Sequence, residues 1–232
     1  MPIRLNEVTV QFERWGQRHV ALDRLSLQVA DGEWLLLTGH NGSGKSTVLN
    51  LLARHVLPAS GSVTIDAPAD AGASRFGSRL YFVRQDPLAG TAGNLTLEEN
   101  LRVGLTGADH RQSTRAERAF RVQQAMEKLR LVSRGRQLIR DFSGGERQQV
   151  TLLVATLRKP RLLLLDEPFS ALDPERTATA LGLIKQMNEA GSTVLQVTHD
   201  ATMITALGLR TVVLHQGRVD RETKANDGQP TD

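Results

Sequence analysis

The chain has 232 residues, of which 40% are hydrophobic, and a formal net charge of +4. This length is enough for one large or two small domains, and the apolar content is enough for a sizeable core. The absence of cysteine excludes a disulfide scaffold, and no apolar run approaches the roughly 18 residues of a membrane-spanning helix. Since the N-terminus also lacks a secretory pattern, the sequence predicts a soluble cytoplasmic protein.

The first 30 residues alternate apolar and polar side chains in short runs. Two such runs, at residues 3–5 and 8–10, precede a turn at residues 15–18, and a third follows at residues 25–29. A period of two is typical of an antiparallel sheet with one solvated face. We therefore predict an antiparallel β region at the start of the chain.

A glycine-rich loop at residues 39–47 lies between a buried apolar strand and an amphipathic helix. Its glycines lack a Cβ, so the backbone can curl and turn several N–H groups towards phosphate oxygens, and the helix dipole points the same way. Lys45 can reach the β- and γ-phosphates, and the Ser46 hydroxyl can ligate the accompanying Mg²⁺. The complete strand–loop–helix pattern disfavours a connecting loop with a chance lysine. The predicted triphosphate site comprises Gly39, Asn41, Gly42, Ser43, Gly44, Lys45, Ser46 and Thr47.

After this helix, the pattern predicts strands at residues 62–65 and 80–83, separated by a loop at residues 68–77 that is rich in Ala, Gly and Asp. The second strand delivers Gln85 to its end. From there the pattern changes, and we expect a helical insertion over residues 87–158 within an otherwise strand-and-helix chain.

Three segments match the capping box, in which a Ser or Thr is followed three residues later by Glu. They begin at Thr96, Thr114 and Ser143. The third contains two adjacent glycines, each of which costs about 1 kcal/mol relative to alanine in a helix. Bare N–H groups at such a helix start form an anion site, so this motif is a candidate binding element. Its residues are Ser143, Gly144, Gly145 and Glu146.

A continuous apolar run at residues 162–165 ends in Asp166 and Glu167. Such a run is typical of a parallel strand that is buried on both faces and opens into a site, although carboxylates at a strand end also occur for structural reasons. Residues 193–198 form a second buried run, which ends at His199.

The remaining elements close the chain. Asp173 followed by proline predicts the start of a further helix. Residues 210–217 predict a last hairpin, and residues 220–232 a frayed polar tail.

Most of the excess positive charge lies between Arg111 and Arg158, where ten arginines and one lysine face four carboxylates. We interpret this segment as a solvated basic face, with docking against another protein or an anionic membrane surface as the alternative. Nucleic acid is not an expected partner, because proteins that bind single strands use stacking aromatic residues and this stretch has almost none.

Six motifs taken together occur in the order and spacing of the ATP-binding-cassette (ABC) ATPases, and the resemblance covers nearly the whole chain. These motifs are the phosphate loop, Gln85, Ser143 to Glu146, Leu162 to Glu167, Ser170 to Asp173, and His199.

The resemblance implies an α/β fold in which a P-loop NTPase core carries an antiparallel β subdomain and an inserted α-helical subdomain. The implied division is a single ABC ATPase domain over residues 1–220, followed by a polar tail at residues 221–232. Residues 1–86 and 159–220 would form the core with the β subdomain, and residues 87–158 the helical subdomain with the Ser143 motif.

The same resemblance implies roles for the residues around ATP. Lys45 would hold its phosphates, while Ser46 and Asp166 would arrange Mg²⁺. Gln85 would approach the metal and the attacking water, and would report the nucleotide state to a docked partner. These roles suit phosphoryl transfer, which depends mainly on charge neutralisation and alignment.

Two further residues would act on the attacking water. Glu167 is placed to polarise it as general base, and His199 to contact the γ-phosphate and orient it. We therefore expect Lys45, Gln85, Glu167 and His199 to be catalytic. The family also stacks an aromatic residue on adenine, and Phe12 stands at that position, with Trp15 as the alternative.

The chain has one phosphate loop and one Ser143 motif, which in this family face each other across two subunits. The resemblance therefore implies a head-to-tail dimer, either of this chain or with a paired ATPase subunit. Two ATP molecules would lie in its interface, with Ser143 and Gly145 of one chain against the γ-phosphate held by the other. We place Asp173 among the nucleotide-site candidates too. The motif has Phe142 and Glu146 where Leu and Gln are commoner, and activity is expected to survive this.

The function implied is that of the ATPase subunit of a membrane transporter, an importer, since the chain carries the complete site and no spanning helix of its own. Its partners would be an integral membrane permease, which would hold the chain on the inner face of the cell membrane, and a solute-binding protein of the same system. Residues 85–100 look like a bacterial importer group associated with amino-acid-type binding proteins. The alternative is a mechanochemical regulator of the cell envelope or of cell division, which hydrolyses ATP without transporting a solute.

Overall fold

The computed structural model describes residues 1–14, 16–66, 80–106 and 113–224. Trp15, the loop predicted at residues 68–77, Arg111 and the part of the predicted tail beyond residue 224 lie outside the described residues.

The described ranges form nine strands and six helices. The strands are β1 (Ile3–Arg14), β2 (Gln17–Val29), β3 (Trp34–Thr38), β4 (Ser60–Ile65), β5 (Leu80–Val83), β6 (Leu162–Asp166), β7 (Thr193–Val197), β8 (Thr211–His215) and β9 (Arg218–Thr223). The helices are α1 (Lys45–Leu52), α2 (Leu97–Gly104), α3 (Arg115–Lys128), α4 (Gly144–Arg158), α5 (Pro174–Glu189) and α6 (Ala201–Leu207).

The first strands form a three-stranded antiparallel sheet in the order β2-β1-β4. The apolar residues of β1, among them Leu5, Val8 and Val10, are buried in a core shared with α1 and the large sheet. Its polar residues, such as Arg4 and Asn6, face solvent, as the period of two requires. The antiparallel β region predicted from the sequence is therefore present.

The large sheet has six strands in the order β5-β6-β7-β3-β8-β9. The first five are parallel, and β9 adds an antiparallel edge. All five residues of β7 and the first four of β6 are buried, because helices cover both faces of a parallel sheet and leave no wet side.

The pairing register fixes which strand ends meet. Val83 pairs with Leu165, and Leu165 pairs with Gln196. Gln85 and Glu167 each follow two residues after the paired Val83 and Leu165, so they stand level with each other at the ends of β5 and β6. Since parallel strands end at the same edge, the phosphate loop after β3 opens there as well.

The middle of the chain is helical. Leu97, Leu101, Val122, Met126 and Leu153 belong to one apolar cluster that holds α2, α3 and α4 together. All three predicted capping boxes are present, each with the Ser or Thr oxygen accepting from the Glu backbone and the Glu side chain accepting from the cap backbone.

The last hairpin extends beyond the predicted boundary. β9 continues to Thr223, which pairs with Thr211 of β8, so residues 221–223 belong to the sheet and not to a tail. The side chains of β9 are all exposed, and the strand is held by backbone pairing and by the bond from Arg210 Nε to Glu222 Oε1 at 2.6 Å.

No helix in the part of the chain that the structure describes is long and apolar enough to cross a membrane.

Candidate active site

A cavity of about 1200 Å³ opens where the ends of β3, β5, β6 and β7 meet the hairpin of β1 and β2. It brings together most of the predicted site residues. Those that line it are Phe12, Gly39, Asn41, Gly42, Gly44, Lys45, Ser46, Thr47, Gln85, Glu167 and His199.

The glycines of the phosphate loop have two different reasons to be glycine. Gly39, Gly42 and Gly44 have φ values of 139°, 82° and 105°, which glycine adopts without the penalty that a Cβ imposes. A Cβ on Gly39 would also clash with the carbonyl oxygen of Leu214, and one on Gly44 would lie 2.7 Å from that of Ala21. Nothing lies within 4 Å of a Cβ placed on Gly42, so there only the backbone conformation demands glycine.

The Lys45 side chain is held by the backbone of this loop. Its Nζ donates to the carbonyl oxygens of Gly39 and His40, each at 2.8 Å, and the residue is 6% exposed. Burial lowers the pKa of the Lys45 ammonium, while the Glu167 and Asp166 carboxylates act in the opposite direction. The loop therefore holds a nearly buried cation beside two carboxylates.

Ser46 and Asp166 form a pair of oxygen ligands. The Ser46 hydroxyl donates to Asp166 Oδ1 at 3.3 Å. Burial raises the pKa of Asp166, the bond from Ser46 lowers it, and the Glu167 charge raises it again, for a net increase. A cation beside these groups would relieve the cost of the buried charge.

These oxygens fit Mg²⁺, which prefers hard ligands and usually binds through one or two protein groups together with phosphate oxygens and water. Among the described residues, no group of three His, Cys, Asp or Glu side chains could hold a metal on its own. The ion would therefore complete its coordination with the nucleotide.

Glu167 is held from both sides. Its Oε1 lies 3.1 Å from His199 Nδ1, and its Oε2 accepts from Gln85 Nε2 at 3.3 Å. The backbone of Glu167 has φ of 47°, a region that non-glycine residues rarely occupy. Bonds to neighbouring strands and turns maintain it, since its N–H donates to Val197 O and its carbonyl accepts from Ser170. Strain of this kind concentrates at functional positions.

The far wall of the cavity comes from the β1–β2 hairpin. Phe12 lines the cavity and pairs with His19 across the hairpin. Sequence reasoning did not identify Arg18 or His19, which line the same wall. Their position opposite Phe12 and Glu13 in a tight hairpin was the available signal. Trp15, the alternative to Phe12, lies outside the described residues.

Ser43 behaves differently from its neighbours in the loop. The residue is fully buried, and its hydroxyl has no hydrogen-bond partner among the described residues. Ser43 is not among the residues that line the cavity, and its backbone N–H donates to the His40 carbonyl oxygen at 3.1 Å. A Cβ on Gly39 would lie 2.8 Å from this hydroxyl, because the side chain points into the loop.

The second group of predicted residues lies away from the cavity. Ser143 is the N-cap of α4, and Asp173 is the N-cap of α5; Gly144, Gly145 and Glu146 occupy the first turn of α4. None of these five residues lines the cavity. The chain therefore does not bring the Ser143 motif to its own phosphate loop.

Comparison with known proteins gives a consistent result. A family model described as ABC transporter matches residues 22–170, more than half of the chain. The sulfate/thiosulfate import ATP-binding protein CysA of Caulobacter vibrioides is 34% identical over 225 residues, which are 95% of this chain and 64% of that protein. The thiamine import ATP-binding protein ThiQ of Shigella sonnei is 32% identical over 228 residues, covering 97% of this chain and 93% of that protein.

A solved structure shares the whole fold. The ATP-binding cassette MJ0796, in a dimeric post-hydrolysis state bound to ADP and Pi, matches with a TM-score of 0.81 at 29% identity. The match covers 97% of this chain and 99% of that one. The fold and site are therefore those of a P-loop nucleotide-binding cassette.

The particular family follows from the matched model and relatives: this chain belongs to the ABC transporter family and carries its ATPase domain. ATP, with Mg²⁺ as its partner ion, is the nucleotide that this class of domain binds. The predicted P-loop fold is confirmed.

Proposed function

We propose that this chain is the ATP-hydrolysing subunit of an ABC membrane transporter, an importer that moves solute through a separate permease. One observation carries the enzymatic part of the proposal. The Glu167 carboxylate, fixed between Gln85 and His199, lies at the same cavity as Lys45 and the phosphate loop. This is the arrangement that aligns a water molecule with a bound γ-phosphate.

The residues divide the work of phosphoryl transfer. Lys45 and the loop N–H groups hold the phosphates. Ser46 and Asp166 would hold Mg²⁺, which would supply charge neutralisation to the phosphates. Glu167 accepts a proton from the attacking water. The oxygen of that water bonds to the γ-phosphorus, and the bridging oxygen leaves with ADP. His199 orients that water.

We place the base of the nucleotide on Phe12. This side chain is 36% exposed at the cavity wall, so its ring face is available for stacking. Base–aromatic stacking contributes about 1–3 kcal/mol per base where it has been measured.

The site is completed by a second subunit in this proposal. The phosphate loop and the Ser143 motif occupy different parts of the chain, and the similar cassette MJ0796 is described as dimeric. In a head-to-tail dimer, Ser143, Gly144, Gly145 and Glu146 of one chain would close on the ATP held by the other, with Asp173 beside them. Two ATP molecules would then lie in the interface, and hydrolysis would open it.

The transporter assignment draws on the relatives described above, which are import ATP-binding proteins for sulfate/thiosulfate and thiamine. We place the chain in the cytoplasm, on the inner face of the membrane against the permease, with a solute-binding protein in the same system. An open groove beside Gln85, lined in part by Tyr81, Phe82 and Val103, is available for the permease. The similarity of residues 85–100 to amino-acid-type importers stays a proposal about the cargo.

We also propose a division into a nucleotide-binding core with the antiparallel β subdomain and a helical subdomain at residues 87–158 that moves with nucleotide state, with the domain extended to residue 223 because β9 belongs to the sheet. The helical subdomain begins just after Gln85 and contains the Ser143 motif, so it would couple permease docking to dimer closure.

Glu167→Gln tests the enzymatic proposal. The variant loses the base but keeps the shape of the side chain, so we expect hydrolysis to fall at least about a hundredfold while ATP still binds. Saturating ATP with Mg²⁺ should then trap a dimer, measured by light scattering. Glu189→Gln, at an exposed residue at the end of α5, is the matched control and should leave both properties unchanged. A Glu167→Gln chain that stays monomeric with saturating ATP would contradict the two-site mechanism.

Co-purification separates a transporter subunit from a mechanochemical regulator. The chain is expressed together with the membrane proteins encoded next to it and is isolated in detergent. A transporter subunit should come with a polytopic permease and hydrolyse ATP faster when the cognate solute-binding protein is added. Recovery of a partner without a transport pathway would favour the regulator.

A further inference from the structure

Arg134 contacts both residues that flank the turn Ser143 to Gly145, in which Ser143 and Gly144 are exposed and Gly145 is buried. Its Cζ lies 4.0 Å from the centroid of the Phe142 ring, within the range of a cation–π interaction. On the other side, its Nη1 donates to Glu146 Oε1 at 2.6 Å. The guanidinium is itself oriented by a bond from Nε to Gln137 Oε1 at 2.7 Å. One side chain therefore holds the two ends of this turn.

Glu146 is shared between three groups. Its Oε2 accepts from the Ser143 backbone N–H at 2.8 Å, which closes the capping box. Its Oε1 faces Arg134 and also lies 3.7 Å from Arg176 Nη2. Burial raises the pKa of Glu146, but the hydrogen bonds from Arg134 and Ser143 lower it by more. The pKa of this carboxyl is therefore below its usual value.

Arg176 links this group to the start of α5. Its Nε lies 3.4 Å from Asp173 Oδ2, and the Asp173 side chain caps α5 by accepting from the Arg176 backbone N–H at 2.9 Å. At this point the two helix starts are in direct contact, since a Cβ on Gly145 would lie 2.7 Å from the carbonyl oxygen of Ala171. Arg176 therefore ties the first turn of α4 to the turn at residues 170–173.

Burial distinguishes the Arg134–Glu146 pair from an ordinary surface ion pair. The side chains of Arg134 and Glu146 are 28% and 18% exposed, against 50% and 37% for the Arg102–Glu98 pair on α2. Exposed pairs contribute little because water screens them. A short charge-assisted bond that is mostly shielded from water is stronger and more directional, and removing one partner leaves the other charge partly buried.

We propose that Arg134 and Arg176 are positioning residues that fix the Ser143–Gly145 turn in the orientation that meets the nucleotide of the facing subunit. The inference rests on the dimeric mechanism proposed above. It explains why the two departures from the commoner motif occur together. Phe142 supplies the ring on which Arg134 stacks and Glu146 the charge that it binds, and Leu and Gln at these positions would supply neither.

Arg134→Gln and Arg176→Gln test the proposal, with Arg102→Gln as the control for loss of an arginine from the helical part. We measure ATP affinity of the monomer with a fluorescent ATP analogue, kcat and KM for ATP hydrolysis, and ATP-driven dimerisation in a Glu167→Gln background. Arg134→Gln should weaken dimerisation and lower kcat by about tenfold each, a typical coupling between contacting residues. Arg176→Gln should do the same to a lesser degree. Monomer affinity should change less than about twofold, because the phosphate loop is untouched.

A second variant separates positioning from general damage to the fold. In a Phe142→Leu/Glu146→Gln chain, Arg134 has lost the ring and the carboxylate that it contacts at the turn, so adding Arg134→Gln should lower kcat less than about twofold. This holds even if Arg134→Gln alone fails to fold. An Arg134→Gln effect that is equal in both backgrounds, or one that matches the Arg102→Gln control, would overturn the inference. If the unmodified chain neither hydrolyses ATP nor dimerises as Glu167→Gln, the proposed function fails instead.

Discussion

Two helices of this protein begin at glycine-rich turns, but the two turns are satisfied in opposite ways. At α1 the N-cap is Gly44, in a left-handed conformation, with no side-chain cap. At α4 the N-cap is Ser143, and a complete capping box with Glu146 satisfies the backbone. The first turn leaves N–H groups for a ligand beside the buried cation Lys45. The second turn is already satisfied by the Glu146 carboxylate of its own capping box, and it lies outside the cavity.

The comparison indicates how one nucleotide can require two surfaces. The α1 turn can receive a nucleotide, since Lys45, Gln85 and Glu167 line one cavity with the phosphate loop. The α4 turn lies outside that cavity and its backbone is closed by the capping box, so it is suited to pack against a nucleotide that is already bound. The following variants change one turn at a time.

The largest effect is expected for Lys45→Ala. The change removes the buried ammonium that neutralises the β- and γ-phosphates, so hydrolysis should fall by about a hundredfold or more, and affinity for ATP should also fall. Lys185→Ala, at an exposed residue of α5, is the control. Normal hydrolysis by Lys45→Ala would contradict the assignment of the α1 turn as the phosphate-binding turn.

Gly145→Ala should have the next largest effect and should act only on the α4 turn. Its new Cβ would lie 2.7 Å from the carbonyl oxygen of Ala171, and such overpacking costs about 1–3 kcal/mol. Both the free energy of unfolding and ATP-driven dimerisation should decrease, while binding of ATP to the monomer stays normal. These are measured by chemical denaturation and by light scattering.

Gly144→Ala is the matched comparison for stability. No atom lies within 4 Å of a Cβ at this position, and alanine is a better helix former than glycine by about 1 kcal/mol. The free energy of unfolding should therefore rise slightly. Equal destabilisation by the two substitutions would show that the contact with Ala171 is not what requires glycine at 145.

The smallest expected effect is a change in the stability of the fold caused by Asp166→Asn, measured in the absence of nucleotide and metal. The folded protein raises the pKa of Asp166, so the fold disfavours its charged form. For an acid whose pKa is raised on folding, this destabilisation appears as the pH rises from the pKa of the unfolded chain through that of the folded protein. The variant should therefore be more stable than the original near pH 7 and no more stable below about pH 3, where both states carry the neutral acid. Equal midpoints of thermal unfolding at both pH values would contradict this.

Local features of the fold were predictable from the sequence for physical reasons. The runs at residues 162–165 and 193–197 are strands because both faces are covered, which leaves an unbroken apolar signal. The helix starts at Thr96, Thr114 and Ser143 are determined by bonds within four residues, so the spacing alone reveals them.

Other features depend on distant contacts and left no local signal. The sequence predicts a polar tail from residue 220, although β9 continues to Thr223. The side chains of this strand are all exposed, so no apolar alternation indicates its backbone pairing. The inward position of the Ser43 side chain and the positive φ of Glu167 depend on packing between strands that are far apart in the chain. The link from Arg134 to Phe142 and Glu146 joins three segments and could not be read from spacing.

The central claim is that the α1 turn of one chain and the α4 turn of another form one site. Mixing two variants, each impaired in a different turn, tests it most directly. A dimer of a Lys45→Ala chain with a Gly145→Ala chain contains one site with an intact lysine and an intact glycine, and one site with neither. The account predicts that the mixture hydrolyses ATP faster than the sum of the two variants measured separately. A mixture no more active than that sum, although the mixed dimer forms, would contradict it.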